Sequence, residues 1–65
     1  MKILVNATAR DIQSGTLDKA LAELGMTSPA LATALNGIFV SRAKRADTQL
    51  SEGDRLEVLS PMQGG

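Results

Sequence analysis

A single amphipathic helix, too short to stand alone, constrains this fold more than any other feature. Leu17, Ala20, Leu21 and Leu24 recur at the i, i+3, i+4, i+7 spacing that puts side chains on one helix face. Thr16 is the expected N-cap, and Asp18 lies in the first turn, where the helix dipole favours negative charge. Gly25 is placed to end the helix. The result is about two and a half turns, a length that does not persist in water unaided. Its apolar stripe must be covered, and a sheet is what the rest of the chain offers.

Residues 2–6 alternate, with Ile3 and Val5 on one face and Lys2, Leu4 and Asn6 on the other. A turn at Asn6-Ala7-Thr8 leads into a second strand over residues 9–13, where Ile12 is the one large apolar residue and Ser14-Gly15 closes the run. Past Gly25, Met26 fills a gap at the helix end, and a loop leads to Pro29. Residues 31–35 fit a third strand, although their alanines carry little strand preference. Asn36-Gly37 is the strongest hairpin signal, because a type I′ turn needs positive φ at both central positions. Ile38-Phe39-Val40 supplies the return strand. Residues 41–49 are polar and irregular, with one helical turn near Arg42, and Leu50 is the core plug behind them. Ser51-Glu52-Gly53-Asp54 turns into a last strand over residues 55–60, with Leu56 and Val58 on one face. Pro61 cannot donate to a ladder, so pairing is expected to fade there.

Strand, strand, helix, strand, strand, strand is the order of the β-grasp, or ubiquitin-like, fold. The fold class is therefore α+β: a mixed sheet of about four to five strands covered on one face by one main helix. The first and last strands would lie parallel at the centre, turning Ile3, Val5, Leu56 and Val58 toward the helix. Residues 1–60 form the domain, and residues 61–65 form an extended, mobile tail.

Sixty-five residues allow one modest core. With neither cysteine nor histidine, the chain is expected to hold no disulfide and no metal, and stability must come from packed Leu, Ile and Val. The N-terminal apolar run ends at Asn6, too soon for a signal peptide, and nothing approaches the length of a membrane span. A cytoplasmic protein is the expectation. Seven basic residues balance seven acidic ones, and Phe39 is the sole aromatic, so neither the field nor the stacking platforms of a nucleic-acid binder are present. Arg42, Lys44 and Arg45 cluster just before Asp47; a solvated loop is the favoured reading, and a docking patch for an acidic partner the other.

The tail reads Pro61-Met62-Gln63-Gly64-Gly65. Five residues at about 3.3–3.6 Å each reach roughly 15 Å beyond the sheet. Gly64 and Gly65 have no side chains, so a terminal carboxylate can thread a channel that larger residues would block. Met62 is adaptable enough to pack along such a channel. The carboxylate is anionic at neutral pH. In that form it is a poor acyl donor but a competent nucleophile toward the α-phosphate of ATP. Making it transferable requires a separate enzyme, because this chain has no His base and no Cys nucleophile. The chain is accordingly not expected to be an enzyme, to have catalytic residues, or to bind a cofactor of its own.

Three stretches carry a resemblance: Asn-Gly-Ile-Phe-Val-Ser-Arg from Asn36, Leu-Ser-Glu-Gly-Asp-Arg-Leu-Glu-Val from Leu50, and Pro-Met-Gln-Gly-Gly from Pro61. Together they resemble the ThiS family, sulfur carriers of thiamin (thiazole) biosynthesis, over essentially the whole chain. The Gly-Asp turn and Gly-Gly end are shared with other sulfur carriers, while Asn-Gly-x-Phe-Val and Met-Gln-Gly-Gly point more narrowly to ThiS. Ser41 stands where a proline is common, and Ala7 where a glycine often follows, departures that touch only local turn geometry. The resemblance implies that a ThiF-type enzyme uses ATP to adenylate the Gly65 carboxylate. A persulfide donor then supplies sulfur, and the resulting thiocarboxylate serves a ThiG-type thiazole synthase. Gly64, Gln63 and Met62 would thread the partner's active site. A MoaD-like carrier for molybdopterin synthesis and a ubiquitin-like protein modifier share the fold and tail, and both stay open at this level.

Leu4 and Leu59 fall out of phase with the core residues of their strands and should point to the open sheet face. Ile38 or Val40 is expected to join them, in a phase the alanine-rich third strand leaves undetermined. Such an apolar patch is the expected partner surface.

Overall fold

The structure, a computed structural model, describes residues 1–60. Strand β1 (Lys2–Val5) and strand β2 (Thr8–Asp11) form an antiparallel hairpin. Helix α1 (Leu17–Glu23) follows, then the hairpin of β3 (Ala32–Leu35) and β4 (Ile38–Val40), a 3-10 helix (Arg42–Asp47), and β5 (Arg55–Leu59). The five strands lie in the order β2-β1-β5-β3-β4, with β5 in the middle, parallel to β1 and antiparallel to β3. The expected parallel centre and β-grasp arrangement are both present.

Alternation in the two central strands builds the core. Ile3 and Val5 of β1 and Leu56 and Val58 of β5 turn to one side, where Leu17, Ala20 and Leu21 of α1 cover them. Ile12 and Leu50 complete the buried cluster, so the core-plug expectation for Leu50 holds. Fully burying a side chain such as Leu56 stabilises the fold by about 1.5–3 kcal/mol, and a domain this small depends on each one.

The helix is shorter than its stripe suggested. It ends at Glu23, and Leu24 becomes the half-buried C-cap. Gly25 takes φ 77°, its N–H donates to the carbonyl of Ala22 at 3.1 Å, and the N–H of Met26 donates to that of Leu21 at 2.8 Å. This double closure needs left-handed backbone at residue 25, which glycine adopts without strain. Thr16 departs from its expected role: no helix N–H donates to its hydroxyl, which instead donates to Asp18 Oδ1 at 2.6 Å. The helix start is held by backbone instead. The N–H of Leu17 donates to Thr48 O and that of Leu50 to Gly15 O, each at 2.9 Å.

The second strand also sits earlier than expected, at Thr8–Asp11 instead of residues 9–13. Asn6 and Ala7 both take positive φ, 49° and 69°, so the turn has two residues and pairing resumes at Thr8 opposite Val5. Ile12 lies past the strand, yet its N–H donates to Met1 O and its carbonyl accepts from the Met1 amino group, both at 2.8 Å. The Asn36-Gly37 hairpin matches expectation, with φ of 51° and 84°.

The basic cluster divides. Arg42 and Lys44 are exposed, but Arg45 is buried. Its guanidinium donates to the Thr33 hydroxyl and, at 2.7 Å, to the carbonyl of Leu31. The solvated-loop expectation therefore fails for Arg45: the 3-10 helix presents one cation inward as a strut, where buried acceptors hold it.

Candidate functional site

With α1 on one side, the other face of the sheet is left uncovered by any helix. Register decides what lies there. Leu4 pairs with Arg55, Ala32 with Leu59 and Ala34 with Glu57 and Phe39, so these residues share the open face. Leu59 and Phe39 are each 69% exposed and Leu4 37%. Ala32, Ala34, Phe39 and Leu59 line a shallow hollow of about 170 Å³, with Asn6 and Glu57 also on its wall. Beside it, Leu4, Ala7, Arg55 and Glu57 border a second hollow of about 240 Å³. The face is thus apolar at its middle, with Arg55 and Glu57 supplying one charge of each sign on the same strand.

The expected surface is right for Leu4 and Leu59 and is corrected at β4. Register pairs Ile38 with Leu35 and Val40 with Thr33, on the helix-side face. Val40 packs half-buried against the core, and Ile38, though 71% exposed, turns away from Leu59. Phe39 takes their place. The two-residue Asn36-Gly37 turn fixes which β4 residue faces each β3 residue, but not which side of β3 is buried. Thr33 is the buried residue there, and its polarity hid that phase.

Two asparagines anchor β5, one from each hairpin turn. Val58 presents its N–H and C=O toward β1, but β1 has already ended at Val5. The side chain of Asn6 fills the vacancy: Oδ1 accepts from Val58 N at 2.8 Å and Nδ2 donates to Val58 O at 3.1 Å. At the start of β5, on the opposite edge, Asn36 Oδ1 accepts from Arg55 N at 2.9 Å and Nδ2 donates to Asp54 Oδ1 at 3.1 Å. A primary amide carries a donor and an acceptor side by side and can replace one residue of a neighbouring strand. Both asparagines sit at positive φ, which Asn tolerates better than most residues. The central strand is therefore tied on both edges as far as Leu59, whose register partner is Ala32.

Met62, Gln63, Gly64 and Gly65, the residues expected to carry sulfur and thread a partner, lie outside the described residues, as does the expected end of pairing at Pro61. Among the described residues, no group of three or more His, Cys, Asp or Glu side chains is placed to hold a metal. No helix among them is long and apolar enough to cross a membrane.

The sequence model of the ThiS family matches residues 3–65. The chain belongs to the ThiS family. Its fold agrees with that of a solved ThiS, the thiamine biosynthesis protein of Geobacter metallireducens. The crystal structure aligns over 100% of both chains at a TM-score of 0.84 and 25% identity. The solution NMR structure of a thiamine biosynthesis protein from the same organism gives a TM-score of 0.80 at 26% identity, covering this whole chain and 88% of that one. A curated relative, the thiazole synthase of Paramagnetospirillum magneticum, is 30% identical over 66 residues. That alignment takes in all of this ThiS-family chain but only 20% of the relative's length.

Proposed function

We propose that this ThiS-family protein is a sulfur carrier for thiazole formation in thiamin biosynthesis, acting through the Gly65 carboxylate. Membership of the ThiS family over residues 3–65 is the observation that carries this reading. The printed names of its relatives, a thiamine biosynthesis protein and a thiazole synthase, point to the same pathway.

In the proposed cycle a ThiF-type enzyme presents ATP to Gly65. A carboxylate oxygen attacks the α-phosphate, pyrophosphate leaves, and an acyl-adenylate forms. The terminal sulfur of a persulfide donor attacks the acyl carbon and expels AMP; cleavage of the resulting sulfur–sulfur bond by a thiol leaves the thiocarboxylate. A ThiG-type thiazole synthase then accepts that sulfur. The chain contains no cysteine or histidine to run these steps itself, so its role is that of a protein substrate, with Gly64, Gln63 and Met62 entering the partner's channel. The open face of Leu4, Phe39 and Leu59 is the proposed docking surface, on the same β5 strand from which the tail departs.

Two measurements test this reading. Intact mass of the protein recovered from cells should show the increase of one oxygen-to-sulfur exchange, and full-length protein but not a Gly65 deletion should restore growth of a thiazole-requiring strain. Covalent ladders on other proteins without that exchange would instead indicate a modifier. Equal complementation by the deletion would sink the carrier role.

A further inference from the structure

We propose that Asn6 is a positioning residue for the tail: its amide holds the end of β5, and so fixes where the reactive carboxylate can reach. This rests on the carrier reading above. The two bonds to Val58 are made by one side chain, at a point where β1 has turned away and the edge of β5 would otherwise face water. Val58 lies three positions before Pro61, where the five-residue tail begins. Without the amide, the last residues of β5 keep only the β3 edge, through the register of Thr33 with Val58 and Ala32 with Leu59.

Leverage makes this matter. A tail of five residues reaches roughly 15 Å, so a small swing at its root becomes a displacement of ångströms at its tip. Adenylation requires the carboxylate oxygen in line with a phosphorus atom, and misplacement by about 1 Å can cost on the order of a hundredfold in rate. Asn6 touches no reacting atom; it acts through Val58. Its amide also lines the hollow beside Leu59, so the clamp and the docking face are contiguous. A partner seated on that face would therefore receive the tail from a defined origin.

Asn6→Gly is the informative variant, since glycine keeps the left-handed turn at φ 49° and removes the amide. In the free carrier, hydrogen exchange at the Val58 amide is expected to speed up by about tenfold or more, with the Leu56 amide unchanged. In ATP–pyrophosphate exchange with the adenylating partner, kcat is expected to fall about tenfold at unchanged KM, because docking is intact and only the bound geometry suffers. Should Asn6→Gly fail to fold, Asn6→Asp keeps the turn and the acceptor. It replaces the donor with an oxygen that repels Val58 O, and the same two changes are expected. Undiminished protection at Val58, or lost protection with kcat unaltered, would overturn the positioning role. Wild-type protein that supports no pyrophosphate exchange would remove the carrier reading itself, while the exchange of Val58 still decides the clamp.

Discussion

Arg45 donates from Nε to the hydroxyl of Thr33 at 3.2 Å, and Thr33 donates in turn to the carbonyl of Val40 at 2.9 Å. This relay stitches the 3-10 helix to β3, and through β3 to β4, on the helix side of the sheet. It also explains how a small core holds a cation: every buried side-chain nitrogen and oxygen among the described residues has a partner. Thr33→Val keeps the shape but leaves Arg45 Nε without its acceptor. The expected cost is about 1–3 kcal/mol, read from urea unfolding. Stability within about 0.5 kcal/mol of wild type would mean the guanidinium escapes to water.

Ala7 occupies the second central position of the β1–β2 turn at φ 69°, where the equivalent residue of the β3–β4 turn is Gly37 at φ 84°. A side chain in left-handed backbone costs about 1–2 kcal/mol, and glycine's extra freedom in the unfolded chain offsets part of the relief. Ala7→Gly is therefore expected to stabilise the protein by about 0.5–1 kcal/mol, a net of those opposing effects. A lower midpoint in thermal or urea unfolding would contradict this. Gly37→Ala, the reverse change, should destabilise.

These turns mark where the sequence was readable. Asn36-Gly37, the alternation of Ile3 with Val5 and of Leu56 with Val58, and the stripe on α1 each follow a local rule that tertiary contacts reinforce. The misreadings occurred where long-range partners replace local ones. Thr16 looked like an N-cap, but Thr48 and Gly15, brought together by the loop before β5, secure that end of the chain. Arg45 looked solvated until β3 supplied its acceptors. Phe39 was overlooked because a buried threonine, not an apolar residue, sets the phase of β3. The Asn6 clamp was not legible, since its partner Val58 is 52 residues away.

Glu23, at the end of α1, accepts from the Ser14 hydroxyl at 2.7 Å and from the backbone N–H groups of Gln13 and Ser14 at 2.9–3.0 Å. These donors favour the ionised form, the Ser14 hydroxyl most, and hold the Glu23 pKa below its ordinary value. A depressed carboxylate contributes stability that is present above its unfolded pKa and is lost as pH falls through the folded one. The contribution is a surface one and correspondingly small. NMR titration should find Glu23 depressed in the wild type and raised back toward an ordinary glutamate in Ser14→Ala. Identical titration of the two proteins would show that the hydroxyl is not the main donor.

The corrected open face makes a sharper prediction about docking. Leu59 and Phe39 belong to one surface, whereas Ile38, equally exposed, belongs to the other side of the sheet. If partners seat on the open face, Leu59→Glu and Phe39→Glu each place a charge where apolar contact is needed. Loss of an interface anchor typically costs 2 kcal/mol or more, so affinity for the adenylating enzyme or the thiazole synthase should drop by about thirtyfold. Both side chains are mostly exposed in the free protein, so the unfolding midpoint should barely move. Ile38→Glu is the internal control and should leave affinity near wild type. The decisive comparison is calorimetric titration of all three variants against each partner. Equal weakening by Ile38→Glu and Leu59→Glu would place the docking surface at the sheet edge instead of on its open face.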